Sequence, residues 1–365
     1  MARLCAFLTA ALFLVAAGLL AAAEPAGSPE LPVYAPVIPG RAFHFPADHG
    51  AHPQFRTEWW YITGWLDGAG GKSVGFQVTF FRFTPTADQR NPSAFAPKQI
   101  LSAHAALSDP SVGKLLHAER TARAGFGLAE TSASDTDIAL DGWTLKRDAG
   151  NIFRAKIGAG EFALDLIFTP TQPILLQGEE GYSRKGPQAQ EASYYYSMPH
   201  LTVSGSIERG GRSLQVKGTA WLDREWSSAD LDPNAVGWDW VGLNLDDGGA
   251  LMAIQIRDAM GGAFWGGGTL RHADGTVVRL QPGELRFGTE RLWRSPRTGT
   301  EYPVERSLTL RLPSGERRWF LKPLFDDQEL DTRNAGGPVY WEGAIRTDGG
   351  RGYLELTGYF QPLKL

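Results

Sequence analysis

Thr57-Glu58-Trp59-Trp60-Tyr61-Ile62-Thr63-Gly64-Trp65-Leu66 is an aromatic and β-branched stretch, followed at once by Asp67-Gly68-Ala69-Gly70-Gly71. Such side chains suit a pleated, half-buried surface, and an Asp-Gly/Gly-Gly run marks a tight turn. Val74–Phe83 resumes the apolar run, so the whole reads as a β-hairpin. The same grammar returns at Phe162–Phe168 and at Leu201–Ile207, where Gly210-Gly211 turns the chain into Leu214–Trp221. It returns again at Val277–Leu280, Leu308–Leu312, Trp319–Leu321 and Tyr353–Tyr359. Ala118–Thr131 is the one stretch with a helical aspect, and Gly125 and Gly127 weaken it. The predicted class is all-β, with strands spaced as in barrels or sandwiches.

The hairpin also recurs within the chain. At an ungapped offset of 178 residues Trp60 meets Trp238, Gly64 meets Gly242, and Gly70-Gly71 meets Gly248-Gly249. Phe76-Gln77-Val78 meets Ile254-Gln255-Ile256 at the same offset. Two similar barrel halves are expected, joined near Ser227–Val236, where Asp230, Asp232 and Pro233 form a linker-like run. On this reading Trp60 and Trp238 hold equivalent barrel positions.

Length and composition agree. The chain has 365 residues with 44 Gly, 12 Trp, 19 Phe, 10 Tyr and one Cys. At 42% hydrophobic and 21% charged it is neither disordered nor collagen-like. A formal net charge of −4 supplies no basic field for nucleic acid. Met1–Ala23 has a charged start at Arg3, an apolar middle and a small-residue end at Ala21-Ala22-Ala23, the pattern of a cleaved secretory signal; the alternative is a retained anchor, since Leu4 to Ala23 is just long enough to span a bilayer. The lone Cys5 lies inside it, so neither a disulfide framework nor a Cys-based zinc site is expected. Residues 24–40 carry five Pro and read as an extended linker. The expected organisation is residues 1–23 as signal, 24–40 as linker, 41–227 as the first domain and 228–365 as the second. No later stretch is apolar and long enough to span a bilayer, so a periplasmic or secreted protein is expected.

Several clusters could carry chemistry. His44-Phe45-Pro46-Ala47-Asp48-His49-Gly50-Ala51-His52 has three His and one Asp, but a Pro/Gly segment fixes no ligand geometry. No metal is expected there, and His49 and His52 should hydrogen-bond loop backbone. Glu58 shares a strand face with Trp60, while Trp59 and Tyr61 share the other. Aromatic surroundings would raise its pKa and suit a general acid; an Arg such as Arg82 or Arg224 would instead neutralise it. In Ala220-Trp221-Leu222-Asp223-Arg224-Glu225-Trp226, alternation places Trp221, Asp223 and Glu225 on one face and Leu222, Arg224 and Trp226 on the other. The two carboxylates could share a proton, position a water, or lock the halves through Arg224 or Arg184. Ser193-Tyr194-Tyr195-Tyr196-Ser197 offers hydroxyl donors or plain barrel filling. His104, Ser108 and Asp109 lie close in sequence, yet no Gly-x-Ser-x-Gly elbow occurs, which argues against a serine hydrolase. No phosphate loop or dinucleotide fingerprint is present, so no cofactor is expected.

Taken together, Phe45-Pro46-x-Asp48-His49-Gly50-x-His52-Pro53, Glu58-Trp59-Trp60-Tyr61-x-Thr63-Gly64, Ala220-Trp221-x-Asp223-Arg224-Glu225-Trp226-Ser227 and Gly237-Trp238-Asp239-Trp240 resemble the AttH family of secreted proteins, related to bacterial carotenoid 1,2-hydratases. The resemblance covers about residues 41 to 365. It implies two tandem lipocalin-like β-barrels holding apolar ligands in a barrel mouth or interior. In the hydratase branch, water adds to a terminal isoprenoid double bond by acid catalysis without a cofactor. The residues linked with that activity there fall at Tyr194, Tyr196, Trp221 and Asp223, and of the four only the Asp is retained. The resemblance also implies association with ABC-transporter permeases.

Two functions follow as expectations: an exported carrier of a lipophilic, isoprenoid- or lipid-like ligand working with an ABC-type export system, or a cofactor-free hydratase or cyclase on an apolar substrate. Candidate catalytic residues are Asp223, Glu225, Glu58 and Tyr194; candidate ligand contacts are Trp59, Trp60, Tyr196, Trp221, Trp226 and Trp238. A scaffold with filled barrels is the third reading. A cavity would argue against the scaffold and solid side-chain filling for it; the sharpest observation is whether one open pocket touches Asp223 and Glu58 together.

Overall fold

The structure is a computed structural model that describes residues 32–68, 72–86 and 91–363. The signal segment, the first part of the Pro-rich linker and the turn residues Gly70 and Gly71 lie outside the described residues. Among those described, strands account for nearly all regular structure, with two short 3-10 turns. Ala118–Thr131 divides between the strands Leu116–Arg123 and Ala129–Thr131.

The opening hairpin forms as read. Thr57–Gly68 pairs antiparallel with Ser73–Phe83, Trp60 opposite Phe80 and Gly64 opposite Phe76. Its other edge pairs with Arg212–Ser227, which sets Tyr61 opposite Asp223 and Trp59 opposite Glu225. Gly64 is required at this crossing: a Cβ there would lie 2.5 Å from the Thr219 carbonyl oxygen and 2.7 Å from the Phe76 ring. Around these strands a 13-stranded antiparallel sheet curls on itself, running from Leu116–Arg123 through the hairpin to Ala192–Arg209 and on to Ala129–Thr131. A 10-stranded sheet follows, beginning at Ala235–Leu245 and ending at Gly350–Leu356.

Strand alternation sorts the side chains into three apolar layers. Trp60, Ile62, Phe76, Val78 and Phe80 fill the inside of the first barrel. Val241, Leu243, Leu251, Trp341 and Leu354 fill the inside of the second. The third layer lies between the barrels, where the outward face of the hairpin (Tyr61, Trp65) and of the Tyr-rich strand (Tyr195) meets Trp240, Met252, Ile254 and Tyr353. The Trp65 indole donates to the Gly352 carbonyl across this seam (3.1 Å).

The internal repeat needs a correction of one residue. Trp60 points into the first barrel, but Trp238 packs in the layer between the barrels. Phe76 and Val78 likewise point inward while Ile254 and Ile256 point outward. A slip of one residue exchanges the two faces of a strand, so an ungapped match can align hairpins and still invert them. The positions that agree in facing are Trp59 with Trp238 and Tyr61 with Trp240, 179 residues apart.

Candidate functional site

Between the outer faces of the two barrels lies a cavity of ≈ 430 Å³. That volume suits a small organic ligand. Its apolar walls include Trp59, Phe81, Leu231, Trp238, Trp240 and Ile254. The family resemblance implies a site in a barrel mouth or interior; here the barrel insides are packed with side chains, and this cavity lies between them.

Alternation along Arg212–Ser227 decides which polar groups reach this space. Asp223 and Glu225 face the cavity, with Trp221 behind them, whereas Arg224 and Trp226 face into the first barrel. Asp223 is buried and accepts hydrogen bonds from Ser197 Oγ, from Tyr195 Oη (2.7 Å) and from Trp221 Nε1 (2.7 Å). Trp240 Nε1 donates in turn to Tyr195 Oη (3.1 Å). Burial pushes the Asp223 pKa up to about 7 despite those three donors, and the Glu225 charge adds to the rise. Glu225 accepts from Ser193 and pairs with Lys185 Nζ at 3.0 Å.

The second sheet supplies the facing wall. Glu342 and Glu355 stand directly opposite each other on the neighbouring strands Val339–Thr347 and Gly350–Leu356. Tyr61 Oη donates to Glu342 Oε1 (2.5 Å), and Gln77 Nε2 lies 3.5 Å from its other oxygen. Burial and then the Glu355 charge push the Glu342 pKa well above the usual carboxylate range, against the Tyr61 hydrogen bond. Burial lifts Glu355 to about 7; the Trp238 side chain opposes this, and the charges of Glu225 and Asp223 reinforce it. At neutral pH this pair therefore holds at least one proton. Farther along, His104 Nδ1 meets Tyr340 Oη (2.9 Å), and burial followed by the His117 charge lowers the His104 pKa to about 3, leaving the ring neutral.

Glu58 is not part of this site. It lies on the inner face of the first barrel, paired with both Arg82 and Arg224 and accepting from the His52 amide (2.9 and 3.0 Å). Burial works to raise its pKa, but the Arg224 charge, the His52 hydrogen bond and the Arg82 charge outweigh it and hold the carboxyl well below its usual range. It is an ionised structural anchor and does not hold a proton to donate.

Tyr194 and Tyr196 also face inward, away from the cavity, because alternation turns Tyr195 toward it. Tyr194 Oη bonds the backbone of Ile38, and Tyr196 Oη meets His49 Nδ1 at 2.6 Å. Trp60 and Trp226 belong to the same inner cluster. The Trp60 indole donates to the His49 carbonyl (2.9 Å) and lies under the Arg224 guanidinium (3.7 Å), while Trp226 stacks on His52 at 3.8 Å. The His49 and His52 rings thus meet the side chains of Tyr196, Asp48, Glu58 and Arg224, in place of loop backbone.

Of the candidate residues, Asp223, Glu225, Trp59 and Trp238 line the cavity, and Trp221 supports Asp223 from behind. The sequence reading did not select Tyr195, Gln77, Glu342 or Glu355. A signal for the last was present: in Tyr353-Leu354-Glu355-Leu356 a lone carboxylate alternates with core leucines and shares its face with a tyrosine.

Comparison with known proteins places this geometry in context. A family described as AttH-like matches residues 36–359. The crystal structure of a provisional AttH from Nitrosomonas europaea is similar at 53% identity, covering 89% of this chain and 99% of that one, with a TM-score of 0.83. Kievitone hydratase from Nectria haematococca is similar in fold at 16% identity, covering 91% of this chain and 98% of that one, with a TM-score of 0.64. CghA, solved with Sch210972, shows a likeness of fold at 13% identity, covering 83% of this chain and 89% of that one, with a TM-score of 0.50. No curated protein matches the chain.

Proposed function

Because this chain belongs to the AttH-like family, we propose that its cavity between the barrels takes a lipophilic, isoprenoid- or lipid-like molecule and acts on it as a cofactor-free hydratase or cyclase. The observation that carries the reading is the meeting of buried carboxyl groups across an apolar, tryptophan-lined space, with burial raising the pKa of each: Glu342 and Glu355 on one wall, Asp223 on the other. Carboxyl groups whose pKa values are raised toward neutrality are suited to deliver and receive protons at physiological pH. The hydratase name of one fold relative agrees with it.

In the proposed hydration a carboxylic acid of the Glu342–Glu355 pair protonates one carbon of an alkene, and the other carbon becomes cationic. A water attacks that carbon, and Asp223 accepts the proton the water loses. The net change is addition of one water; proton exchange with solvent restores both groups. In a cyclisation an internal double bond takes the place of the water: a carbon–carbon bond forms, the positive charge moves to the far carbon of that double bond, and Asp223 removes a proton from the carbon beside it to leave a new double bond. Asp223 suits the accepting role because three donors point at its oxygens and favour its ionised form, against the burial that holds its pKa near 7, where it can take up and release a proton.

We propose a cell-envelope location for the reaction, supported by the signal-like pattern of Met1–Ala23, and an ABC-type export system as its partner. The test is to incubate purified mature protein with isoprenoid and lipid extracts and read captured molecules and water-gain products by mass spectrometry. A captured apolar molecule that gains one water or isomerises supports the reading. Capture of nothing apolar overturns it.

A further inference from the structure

The charge balance of the cavity is one-sided. Asp223 and Glu225 enter from one sheet and Glu342 and Glu355 from the other, and Lys185, bound to Glu225, is the one ammonium among the described lining residues. Among the described residues no Lys or Arg pairs with Asp223, Glu342 or Glu355; their partners are hydroxyl, indole and amide donors. The more exposed Glu191 and Asp230 also border the space, Asp230 beside Arg56. The remaining titratable neighbours carry no charge near neutrality: burial keeps Tyr61, Tyr195 and Tyr340 protonated and His104 neutral.

A second observation points to a ligand that donates. Gln77 is 1% exposed and lines the cavity, with Nε2 directed to Thr79, Tyr340 and Glu342. Its Oε1 has no partner among the described residues. A buried acceptor left unmade is costly, and an N–H or O–H from a ligand would answer it. The apolar floor beside it carries the rings of Trp59, Trp238 and Trp240, whose faces attract cations.

We infer that the cavity selects a positively charged lipophile, a protonated amine on an isoprenoid-sized apolar tail, with the ammonium held between Glu342, Glu355 and Gln77 Oε1 and the tail along the tryptophans. The inference rests on the reading of this cavity as a lipophile site and deepens it. The arrangement that holds an ammonium also stabilises the positive carbon that protonation of an alkene creates.

Three probes of one skeleton and different charge test it: geranylamine, geraniol and geranate, titrated into the purified protein at pH 8 and read by calorimetry and tryptophan fluorescence. Geranylamine should bind about tenfold tighter than geraniol or better, the gain expected of a charge-assisted hydrogen bond with cation–π contact, and geranate should bind most weakly. Glu342→Gln and Glu355→Gln should each narrow the ratio of geranylamine to geraniol affinity. Repeating the wild-type titration in buffers of different ionisation enthalpy gives a readout independent of variant folding: amine binding should release protons from the carboxyl pair. Geraniol binding as tightly as geranylamine, or amine binding without proton release, overturns the inference and leaves the lipophile reading standing. Binding of none of the three overturns both.

Discussion

Arg224 and Asp223 are neighbours on one strand, yet they serve two faces that treat buried charge in opposite ways. On the barrel side, Glu58 meets two guanidiniums and a backbone amide and stays ionised. On the cavity side, Asp223 and the Glu342–Glu355 pair meet hydroxyls and indoles, and burial raises their pKa values. Buried charge that is fully paired ties strands together; buried charge left without a counter-ion is costly and persists where a ligand or a reaction uses it. The sequence motif Asp223-Arg224-Glu225 thus joins an architectural residue and two site residues, separated by the side of the sheet each occupies.

The comparison can be broken by mutation. Asp223→Asn should lower turnover of a captured apolar substrate by about 10²–10⁴-fold, the usual range for loss of a positioned proton acceptor. At pH 8 the same variant should be no less stable than wild type, because it removes a buried carboxylate that meets no Lys or Arg among the described residues. Retained turnover would remove Asp223 from the chemistry. Glu58→Gln should do the reverse. Stranding Arg82 and Arg224 inside the barrel should cost about 3–5 kcal/mol in urea denaturation, with ligand affinity of the folded fraction unchanged. A cost under about 1 kcal/mol would contradict the assignment of Glu58 as an anchor.

Two further variants sharpen the contrast with smaller effects. Trp60→Phe removes the indole bond to His49 and weakens the stack under Arg224, and should cost about 1–3 kcal/mol of stability with little change in binding. Trp238→Phe should change stability by less than about 1 kcal/mol, as expected of a half-buried position. It removes the indole that favours ionised Glu355, so binding and the pH profile should shift instead.

The two faces also predict opposite pH dependence. Asp223 and Glu355 have folded pKa values near 7, above their ordinary values of 3.8 and 4.5. The folded state therefore binds more protons between about pH 4 and 7, and their contribution to stability falls as pH rises through that window. Glu58 has a folded value below its ordinary 4.5, so its contribution is present above that pH and is lost on acidification. Thermal denaturation across pH should show Asp223→Asn flattening the first slope and Glu58→Gln flattening the second.

Much of this was legible in the sequence. Alternation alone sorted Asp223 and Glu225 from Arg224 and Trp226, and the Gly turns located the hairpins. The inverted facing of Trp60 and Trp238 was not legible, because a one-residue slip leaves a hairpin pattern intact while exchanging its faces. Nor was the cavity. Glu342 and Glu355 lie more than a hundred residues beyond Asp223 in the chain, and only the docking of one sheet on the other brings them to the same space. Carrying the family positions over to Tyr194 and Tyr196 chose the inward side of a strand whose cavity-facing residue is Tyr195.

The central claim is that carboxyl groups of the cavity keep protons at neutral pH while the paired Glu58 does not. Difference infrared spectroscopy of the carboxyl C=O stretch between pH 5 and 9 tests this directly. Protonated-carboxyl bands that ionise near pH 7 or above are expected, one lost in Asp223→Asn and another altered in Glu355→Gln, with no change in that range from Glu58→Gln. Complete ionisation of every carboxyl group by about pH 5.5 would contradict it.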